Sequence, residues 1–366
     1  MNKSTFVTQP YLPDIEDFIP YIHRIWDNKI LTNGGELHNR LEESLERYLG
    51  VENIVLFNNG TSALITALQY FDFPDGGEVI TTPYSFVATA HSIIWNKLKP
   101  IFVDIEEHSP NLDINKIKEA YTENTVAILP VHCYGVPCKV DEIDFFAKQK
   151  NIKVIYDAAH AFGVQTNGKS VLNYGDLSIL SFHATKVFNT FEGGAIVCKD
   201  KKTKDKLIQL KNFGIVDESN VDYFGSNGKM SEIHAAFGLL QLETIDHVLD
   251  LRGNLDSLYR KAIQEIEGLE AIERGNISHD NYAYFPIVVT ENYPLTRDQL
   301  FNKLKENNIF SRKYFWPLIT DFKVFQQYKA YTPNAEKMSN SVICLPLYPL
   351  LKAEDLNRIV EILRDF

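Results

Sequence analysis

The stretch Leu180-Ser-Phe-His-Ala-Thr-Lys186, continued by Val187-Phe-Asn-Thr-Phe-Glu-Gly-Gly194, decides how the rest of the chain is interpreted. It forms a polar turn, ending on Lys186, between two apolar runs, Leu177–Leu180 and Ala195–Cys198. Short apolar runs bounded by polar, glycine-containing segments are typical of buried strands. We therefore predict two buried strands, with the lysine just beyond the first.

Another short apolar run lies upstream and ends on an acid, Ile152-Lys-Val-Ile-Tyr-Asp157. A lysine past one buried strand and a carboxylate at the end of a nearby one suit pyridoxal phosphate (PLP). The amine of Lys186 can react with the cofactor's aldehyde, and Asp157 can keep the pyridine nitrogen protonated, so that the ring accepts electrons. This pair makes PLP the cofactor hypothesis that the remaining sequence has to fit.

Length and composition predict a globular protein with more than one domain. The 366 residues exceed the usual size of one hydrophobic core, and 45% hydrophobic with 23% charged residues is ordinary for a globular chain. The formal net charge is −11, from 37 basic and 48 acidic residues. An acidic balance argues against a nucleic-acid-binding protein but leaves room for a small anionic ligand.

We expect a cytoplasmic protein without a membrane segment. The N-terminus lacks the apolar core of a signal peptide, and no run approaches about 18 uninterrupted apolar residues. The few scattered cysteines, Cys133, Cys138, Cys198 and Cys344, do not resemble a disulfide framework. His132 with Cys133 and Cys138 is a conceivable metal cluster, but no second pair completes four ligands, so no metal is predicted.

Apolar runs alternate with helical spacings through the first two thirds of the chain, after two N-terminal helices at 11–30 and 37–49. Strands are predicted at 53–57, 79–81, 100–104, 126–131 and 152–156, and helices at 63–70, 87–96, 113–121 and 140–149. Strands separated by helices of this length imply βαβ units and a mostly parallel sheet.

Several polar segments follow these strands, where a parallel sheet binds its ligands. They are Asn58–Ser62, Pro83–Phe86, His132–Gly135 and Asp157–His160. The first, between a strand and a helix, would direct free N–H groups and the hydroxyls of its Thr and Ser at an anion. It is not a Walker loop, because the Gly-Lys-Ser/Thr ending is absent.

The sequence pattern in the last third of the chain predicts a smaller α/β unit. A charged helix at 200–211 and a polar loop at 212–229 precede an apolar helix at 230–249 and a bridging helix at 245–266. Strands at 282–289 and 342–346, helices at 297–306 and 352–365, and the aromatic stretch Arg312–Pro317 follow. We predict a large domain at 1–245 and a small domain at 246–366.

Together these motifs resemble the DegT/DnrJ/EryC1/StrS family of sugar aminotransferases, which are PLP enzymes of fold type I acting on nucleotide-linked keto-sugars. The resemblance runs from Leu31-Thr-Asn-Gly-Gly35 to Cys344-Leu-Pro-Leu-Tyr-Pro349. Its most specific pieces are Asn59-Gly-Thr-Ser-Ala-Leu64, Pro83-Tyr-Ser-Phe-Val-Ala-Thr89, Val131-His-Cys-Tyr-Gly135, Asp157-Ala-Ala-His160, Ser181-Phe-His-Ala-Thr-Lys186, Glu192-Gly-Gly194 and Met230-Ser-Glu232. It implies an α/β fold with a mostly parallel, seven-stranded sheet and a smaller C-terminal α/β domain.

The resemblance also implies roles for individual residues. Lys186 would react with PLP and carry protons, Asp157 would pair with the pyridine nitrogen, and His183 would be a further catalytic residue. Phe86 would stack on the cofactor ring, and His160 would lie beside the ring hydroxyl. Thr61, Ser62 and Ser181 would bind the phosphate. The resemblance further implies a homodimer with shared active sites, in which Asn227 would reach the phosphate of the cofactor in the neighbouring subunit.

For the substrate, the resemblance points to Arg312, Tyr314 and Lys229. The aromatic cluster Arg312-Lys-Tyr-Phe-Trp316 would line the sugar-nucleotide site, with Arg312 or Lys313 facing the diphosphate. Arginine suits this role through its bidentate fork. The alternative is that these aromatic residues only pack the small domain on the large one. The family often has Arg where this chain has Lys229.

The resemblance implies transfer of an amino group from L-glutamate to C4 of dTDP-4-keto-6-deoxy-D-glucose. The product, dTDP-4-amino-4,6-dideoxy-D-glucose, would enter lipopolysaccharide O-antigens or other surface glycans. The Ser-Phe-His-Ala-x-Lys turn is similar to that of C4 enzymes, whereas many C3 enzymes carry Ser-Phe-Tyr-Pro-x-Lys.

The alternatives are a C3 aminotransferase acting on a dTDP-3-keto-6-deoxyhexose, a PLP-dependent sugar dehydratase, and a catalytically silent regulatory or scaffold protein. Dehydratases of the family have histidine in place of this lysine, so Lys186 argues against the dehydratase alternative.

Overall fold

Strands and helices alternate along most of the chain, as the apolar runs predict. A computed structural model describes residues 4–365. The strands are β1 Thr5–Phe6, β2 Asn53–Phe57, β3 Glu78–Thr81, β4 Lys99–Phe102, β5 Thr125–Leu129, β6 Lys153–Asp157, β7 Gln165–Thr166, β8 Lys169–Ser170, β9 Leu177–Ser181, β10 Gly194–Cys198, β11 Leu269–Ala271, β12 Ile277–His279, β13 Phe285–Val289, β14 Ile309–Phe310 and β15 Val342–Leu345. The helices are α1 Ile15–Asn28, α2 Glu36–Leu49, α3 Gly60–Tyr70, α4 Ala88–Trp95, α5 Ile114–Ala120, α6 Val140–Lys150, α7 Lys201–Leu210, α8 Glu232–Gln264, α9 Arg297–Glu306, α10 Pro333–Ser341 and α11 Ala353–Arg364.

The main sheet has seven strands in the order β2-β10-β9-β6-β5-β3-β4. Only β10 runs antiparallel to its neighbours β2 and β9. The other pairs are parallel. The predicted mostly parallel sheet is therefore confirmed. Its strands are almost wholly buried, as expected for a sheet with helices on both faces.

This topology gathers the polar segments of the sequence at one edge of the sheet. Asp157 ends β6 and Ser181 ends β9, and β6 and β9 are parallel neighbours. Because β10 is antiparallel, its first residue, Gly194, pairs with both Phe57 of β2 and Ser181 of β9. The segments after β2, β6 and β9 and before β10 consequently meet at the edge where the sequence predicts a ligand.

The C-terminal part contains a second, antiparallel sheet in the order β11-β13-β15. Its core includes the buried side chains of Phe285, Leu300, Ile343 and Ile359 from β13, α9, β15 and α11. Antiparallel strands with one face against helices are typical of a small α/β unit.

One long helix, α8, connects the two sheets. It contains 33 residues, so the two overlapping helices predicted at 230–249 and 245–266 are a single helix. No proline interrupts it, and Gly253 allows a close approach, since a Cβ there would lie 2.9 Å from the ring of Tyr282. The predicted boundary near residue 245 falls inside α8, and the division into 1–245 and 246–366 stays a prediction.

The N-terminal strand joins the C-terminal part, which the sequence did not predict. β1 pairs in parallel with β14, and the N–H of Thr5 donates to the carbonyl of Asn308 at 2.9 Å. The first helix, α1, spans 15–28 rather than 11–30. Within residues 4–365, no helix is both long enough and apolar enough to cross a bilayer.

Candidate active site

A cavity of about 300 Å³ lies at the carboxyl edge of the seven-stranded sheet. Its walls come from the turn after β2, the loop after β3, the ends of β6 and β9, and residues near β13 and β14. The sequence-predicted residues that line it are Thr61, Phe86, Asp157, His160, Ser181, His183, Lys186, Arg312 and Tyr314. The structure thus brings together residues as far apart in the sequence as Thr61 and Tyr314.

Asp157 forms the floor of the cavity. Its side chain is buried, and its two oxygens accept hydrogen bonds from Thr89 Oγ1 at 2.8 Å and from the N–H of Ala159 at 3.1 Å. Burial raises the pKa of the carboxyl group, while Thr89, Ala159 and the charge of Lys186 oppose this shift. A cation bound against Asp157 would help to keep this carboxyl ionised.

Thr89 and Ser85 support Asp157, and sequence reasoning missed both. Thr89 is fully buried, and its hydroxyl shares a 2.8 Å hydrogen bond with that of Ser85, one turn earlier. Both belong to the motif Pro83–Thr89, but the motif by itself predicts no role for these hydroxyls. The signal in the sequence that could have identified them is the spacing of two hydroxyl residues, four positions apart, at the start of a predicted helix.

Lys186 projects from the turn between β9 and β10. The turn is closed by hydrogen bonds of 2.8 Å from the N–H of Phe182 to the carbonyl of Gly193 and from the N–H of Lys186 to the carbonyl of His183. Burial lowers the pKa of the Lys186 amine to about 8, and the negative charge of Asp157 opposes this shift. A neutral amine is the nucleophilic form, so a fraction of Lys186 can react near neutral pH.

Tyr284 approaches Lys186 from the segment before β13, and sequence reasoning missed it too. The amine of Lys186 donates to the Tyr284 hydroxyl at 3.5 Å. Burial raises the pKa of this phenol above its ordinary value, so the hydroxyl keeps its proton. Arg252 fixes the segment by donating to the carbonyls of Tyr282 and Ala283, each at 2.9 Å. An isolated tyrosine before a strand carries no sequence signal for this role.

His160 is held as a neutral imidazole. Its Nδ1 accepts a hydrogen bond of 3.1 Å from the N–H of Tyr134, and burial lowers its pKa well below the ordinary value. In a neutral ring whose Nδ1 accepts, Nε2 carries the proton and is a donor. The ring lies parallel to that of Phe315, with centroids 6.0 Å apart.

The first turn of α3 forms one side of the cavity. Asn59 caps the helix by accepting from the N–H of Ser62 at 2.7 Å. A Cβ on Gly194 would lie 2.6 Å from the nitrogen of Gly60, so glycine is required for this turn to pack against β10. The unpaired N–H groups of a first helical turn, with Thr61 and Ser181 nearby, are the donor set that binds phosphate.

His183 lies at the mouth of the cavity. Its Nδ1 is 2.8 Å from the hydroxyl of Thr185, and its Nε2 is 3.7 Å from a carboxylate oxygen of Glu192. About half of its side chain is exposed. These contacts stay within the turn that carries Lys186, so His183 shapes the rim of the cavity.

Three predicted residues do not line this cavity within the described chain: Ser62, Asn227 and Lys229. Asn227 is exposed, and its carbonyl accepts a hydrogen bond from Asn58 at 3.2 Å. The amine of Lys229 donates to Asn212 at 3.0 Å. Because Asn227 is predicted to act in a neighbouring subunit, a single chain does not test it, and the roles of all three stay predictions.

The fold and this cavity define an aminotransferase. The sequence model of the DegT/DnrJ/EryC1/StrS aminotransferase family matches residues 13–364, so the chain belongs to this family. The resemblance inferred from the motifs is confirmed, and with it the PLP-dependent class of enzyme and the fold.

Two curated relatives match the whole chain. The chain is 53% identical to the dTDP-4-amino-4,6-dideoxy-D-glucose transaminase of Shigella dysenteriae, with full coverage of both (100% and 100%). It is 49% identical to the enzyme of the same name from Escherichia coli, with 99% of each chain covered. Among solved structures, DesI, crystallised with its TDP-sugar product, is similar at a TM-score of 0.94 and 30% identity, covering 100% of this chain and 93% of DesI.

The residues around the cavity fit PLP, the cofactor of this family. A buried carboxylate suits the protonated pyridine nitrogen, and the first turn of α3 suits the phosphate. Lys186 would hold the cofactor's aldehyde carbon, and Phe86, with a side chain that is 61% exposed, offers a ring face to the cavity. The donor chemistry of the cavity thus matches each polar part of the cofactor.

Proposed function

We propose that this enzyme transfers the amino group of L-glutamate to the C4 ketone of dTDP-4-keto-6-deoxy-D-glucose, giving dTDP-4-amino-4,6-dideoxy-D-glucose. The observation that carries this proposal is full-length identity of 53% and 49% to two transaminases named for that sugar. The Ser181–Lys186 turn, of the C4 type by sequence, supports the same position of amination. Such a product suits O-antigen or other surface-glycan synthesis.

In this proposal Lys186 and Asp157 are the two residues that act directly in the amino-group transfer. When bound, PLP supplies an aldehyde that takes up the amino group and a ring that accepts electrons. Asp157 holds the ring nitrogen protonated, and Nζ of Lys186 takes up and returns the proton of the amine-bearing carbon of the substrate. The depressed pKa of Lys186, about 8, supports this exchange, because the amine can change protonation near neutral pH.

The other residues position cofactor and substrate. His160 would donate from Nε2 to the ring hydroxyl, and Phe86 would stack on the ring. Thr61, Ser62 and Ser181 would hold the phosphate. Arg312 and Tyr314, at the outer wall of the cavity, would meet the sugar and diphosphate. His183 would act at the rim.

We further propose a cytoplasmic homodimer. Asn227 and Lys229 lie outside the cavity of their own chain, on the loop 212–229, where a neighbouring subunit would bring them to its active site. The exposed ring of Phe224, 96% accessible in the single chain, supports a contact surface on this loop. All four cysteines are unpaired, which suits a reducing compartment.

The test is to incubate the protein with PLP, L-glutamate and dTDP-4-keto-6-deoxy-D-glucose and to identify the product by mass and NMR. We expect an amine at C4 and formation of 2-oxoglutarate. Lys186→Ala should abolish turnover and serves as the control for the site. Amination only of a 3-keto isomer would retain the mechanism and contradict the assigned carbon. Undiminished turnover by Lys186→Ala would remove this lysine from the mechanism.

A further inference from the structure

The side chain of Tyr284 contacts the amine of Lys186 and also lines the cavity. Its hydroxyl accepts the hydrogen bond from Lys186 Nζ at 3.5 Å. Within residues 4–365, no acceptor receives the hydroxyl's own proton. We infer that Tyr284 donates this proton to the substrate oxygen that leaves as water, and that Lys186 replaces it. The assignment rests on the proposed function, because it concerns the exchange of a C–O bond for a C–N bond.

Amination of a ketone requires an acid as well as a base. When the amine carried by the cofactor bonds to C4, one of its protons passes to the ketone oxygen, which becomes a hydroxyl group. The C4–O bond then breaks with its electron pair on oxygen, and the lone pair of the nitrogen forms a C=N bond. Hydroxide is a poor leaving group, so the oxygen has to receive a further proton as it departs. The proposed function therefore needs a proton donor at the reacting carbon.

Tyr284 is the cavity residue best placed to be this donor. Asp157 and His160 are predicted to contact the cofactor ring, at its nitrogen and its hydroxyl. Both ring nitrogens of His183 face groups of its own turn at the mouth of the cavity. Among the described side chains, Tyr284 alone forms a hydrogen bond with the amine of Lys186. A proton lost by its hydroxyl can therefore be replaced from within the site.

The charges of the two groups suit a proton relay. Burial raises the pKa of the Tyr284 phenol, so it does not ionise by itself. While the cofactor carries the amino group, Lys186 is not bonded to it, and with a pKa of about 8 the free amine is mostly protonated at neutral pH. The C=N nitrogen gains the positive charge that Lys186 loses, so atoms and charge balance. Lys186 is left neutral, the form that next takes a proton from carbon.

The segment before β13 holds Tyr284 in position. Arg274 donates to the carbonyl of Tyr284 at 3.4 Å. Asn281 donates to the carbonyls of His160 and Phe162 at 2.8 and 2.9 Å, which joins the segment to the loop after β6. The rings of Tyr284 and His160 pack with centroids 4.8 Å apart. A donor fixed by packing and by its own backbone is positioned before the substrate arrives.

The test follows L-glutamate in D₂O with the PLP-loaded enzyme. Exchange of its α-hydrogen for deuterium needs Lys186 but involves no C–O bond. Release of 2-oxoglutarate forms a C–O bond by the reverse of the proposed step. We expect Tyr284→Phe to exchange the hydrogen at a rate within about threefold of the parent enzyme and to release 2-oxoglutarate about 100-fold more slowly, since general acid–base catalysis contributes at least this much. NMR measures the exchange, and a single-turnover assay measures the release.

Three variants serve as controls, and one measurement needs no cofactor. Tyr284→His supplies another donor and should bring release to within about tenfold of the parent rate. Tyr259→Phe removes a buried hydroxyl that donates to the carbonyl of Pro346 at 3.0 Å, and should change neither rate. Lys186→Ala should lose both. In the cofactor-free protein, Tyr284→Phe should lower the pH midpoint for acylation of Lys186, because the ammonium form loses a hydrogen-bond acceptor.

The outcomes separate this inference from the proposed function. Release of 2-oxoglutarate by Tyr284→Phe at the rate of Tyr259→Phe would overturn the inference. Loss of exchange and release by the same factor would also overturn it, because Tyr284 would then have only a structural role. If the parent enzyme releases 2-oxoglutarate but forms no amine on the keto-sugar, the proposed acceptor is wrong. The result for Tyr284 then still decides the inference, since the test uses L-glutamate alone.

Discussion

The hydroxyl of Thr89 donates a 2.8 Å hydrogen bond to Oδ2 of Asp157, and both side chains are buried. Ser85 extends this link to the loop that carries Phe86, so the acid below the cofactor site and the ring beside it are physically connected. A hydrogen bond to a buried carboxylate stabilises its ionised form. Thr89 thereby acts on the cofactor through Asp157 and is a positioning residue.

Thr89→Val should lower the affinity of the cofactor-free protein for PLP by about tenfold, because a hydrogen bond to a charged group is worth ~1.5–3 kcal/mol. The change keeps the shape of the side chain and removes the donor, so the pKa of Asp157 rises further. PLP titration followed by fluorescence measures the affinity. Thr89→Ser should restore it, and Thr66→Val, at a buried threonine whose hydroxyl has no described partner, is the matched control. Equal affinities for both valine variants would contradict the role of Thr89.

Asp157→Asn should reduce turnover by several orders of magnitude while leaving the fold intact. An amide cannot hold the pyridine nitrogen protonated, so the ring accepts electrons poorly. Steady-state assays with L-glutamate and the keto-sugar measure the effect, and Asp205→Asn, on the exposed face of α7, is the control. A loss smaller than about tenfold, or ~1.4 kcal/mol of transition-state stabilisation, would show that Asp157 is not the partner of the nitrogen.

The amine of Lys186 should react with an acylating reagent with a midpoint near pH 8 in the cofactor-free protein, because burial depresses its pKa to about 8. Peptide mass spectrometry across a pH series gives this midpoint, with the exposed Lys261 as internal reference. Since the charge of Asp157 raises the Lys186 pKa, Asp157→Asn should move the midpoint to lower pH. A midpoint at the ordinary lysine value of ~10.4 would mean that the amine is not desolvated.

Acid should destabilise the protein through His132. Burial lowers the pKa of this imidazole to about 3, and its Nδ1 accepts from the N–H of Cys138 at 3.0 Å. Between ~6.5, the pKa of an unfolded histidine, and about 3, the unfolded chain binds more protons than the folded one. The free energy of unfolding therefore falls as the pH is lowered through this range, by up to ~1.4 kcal/mol per unit from His132 alone.

Urea unfolding at pH 7 and at pH 5 measures this loss. His132→Asn keeps an acceptor for Cys138 but cannot titrate, so the difference between the two pH values should shrink. His108→Asn, at a side chain that is 91% exposed, should leave the difference unchanged. The same pH dependence in His132→Asn as in the parent protein would rule out a contribution from His132.

The fold and the centre of the site follow from local patterns. Strand-sized apolar runs alternate with helical spacings, and a parallel sheet brings the ends of its strands to one edge. Asp157 and Ser181 end neighbouring strands, and Lys186 follows in the next turn. The ends of the strands alone therefore predict that these three residues lie close together, whatever the packing of the helices. Family resemblance then assigned their roles, which spacing alone does not determine.

Contacts between distant segments were not predictable in this way. Tyr284 reaches Lys186 from the segment before β13, and Phe6 pairs with a strand beginning at Ile309. A two-residue strand such as β1 has no periodicity to recognise. The apolar pattern of α8 predicts two helices, because it changes between residues packed against one core and those packed against the other.

The continuity of α8 has a consequence for how the protein moves. Ala235 and Leu240 are embedded in the core beside the large sheet, and Tyr259 and Ile263 in the core beside the small one. A swing of one sheet relative to the other would have to bend this helix or unpack one core, and both cost more than rotation in a flexible linker. Substrate should therefore enter the Lys186 cavity, and product leave it, by rearrangement of the rim loops, such as 183–192. The large and small sheets would keep a fixed angle to each other.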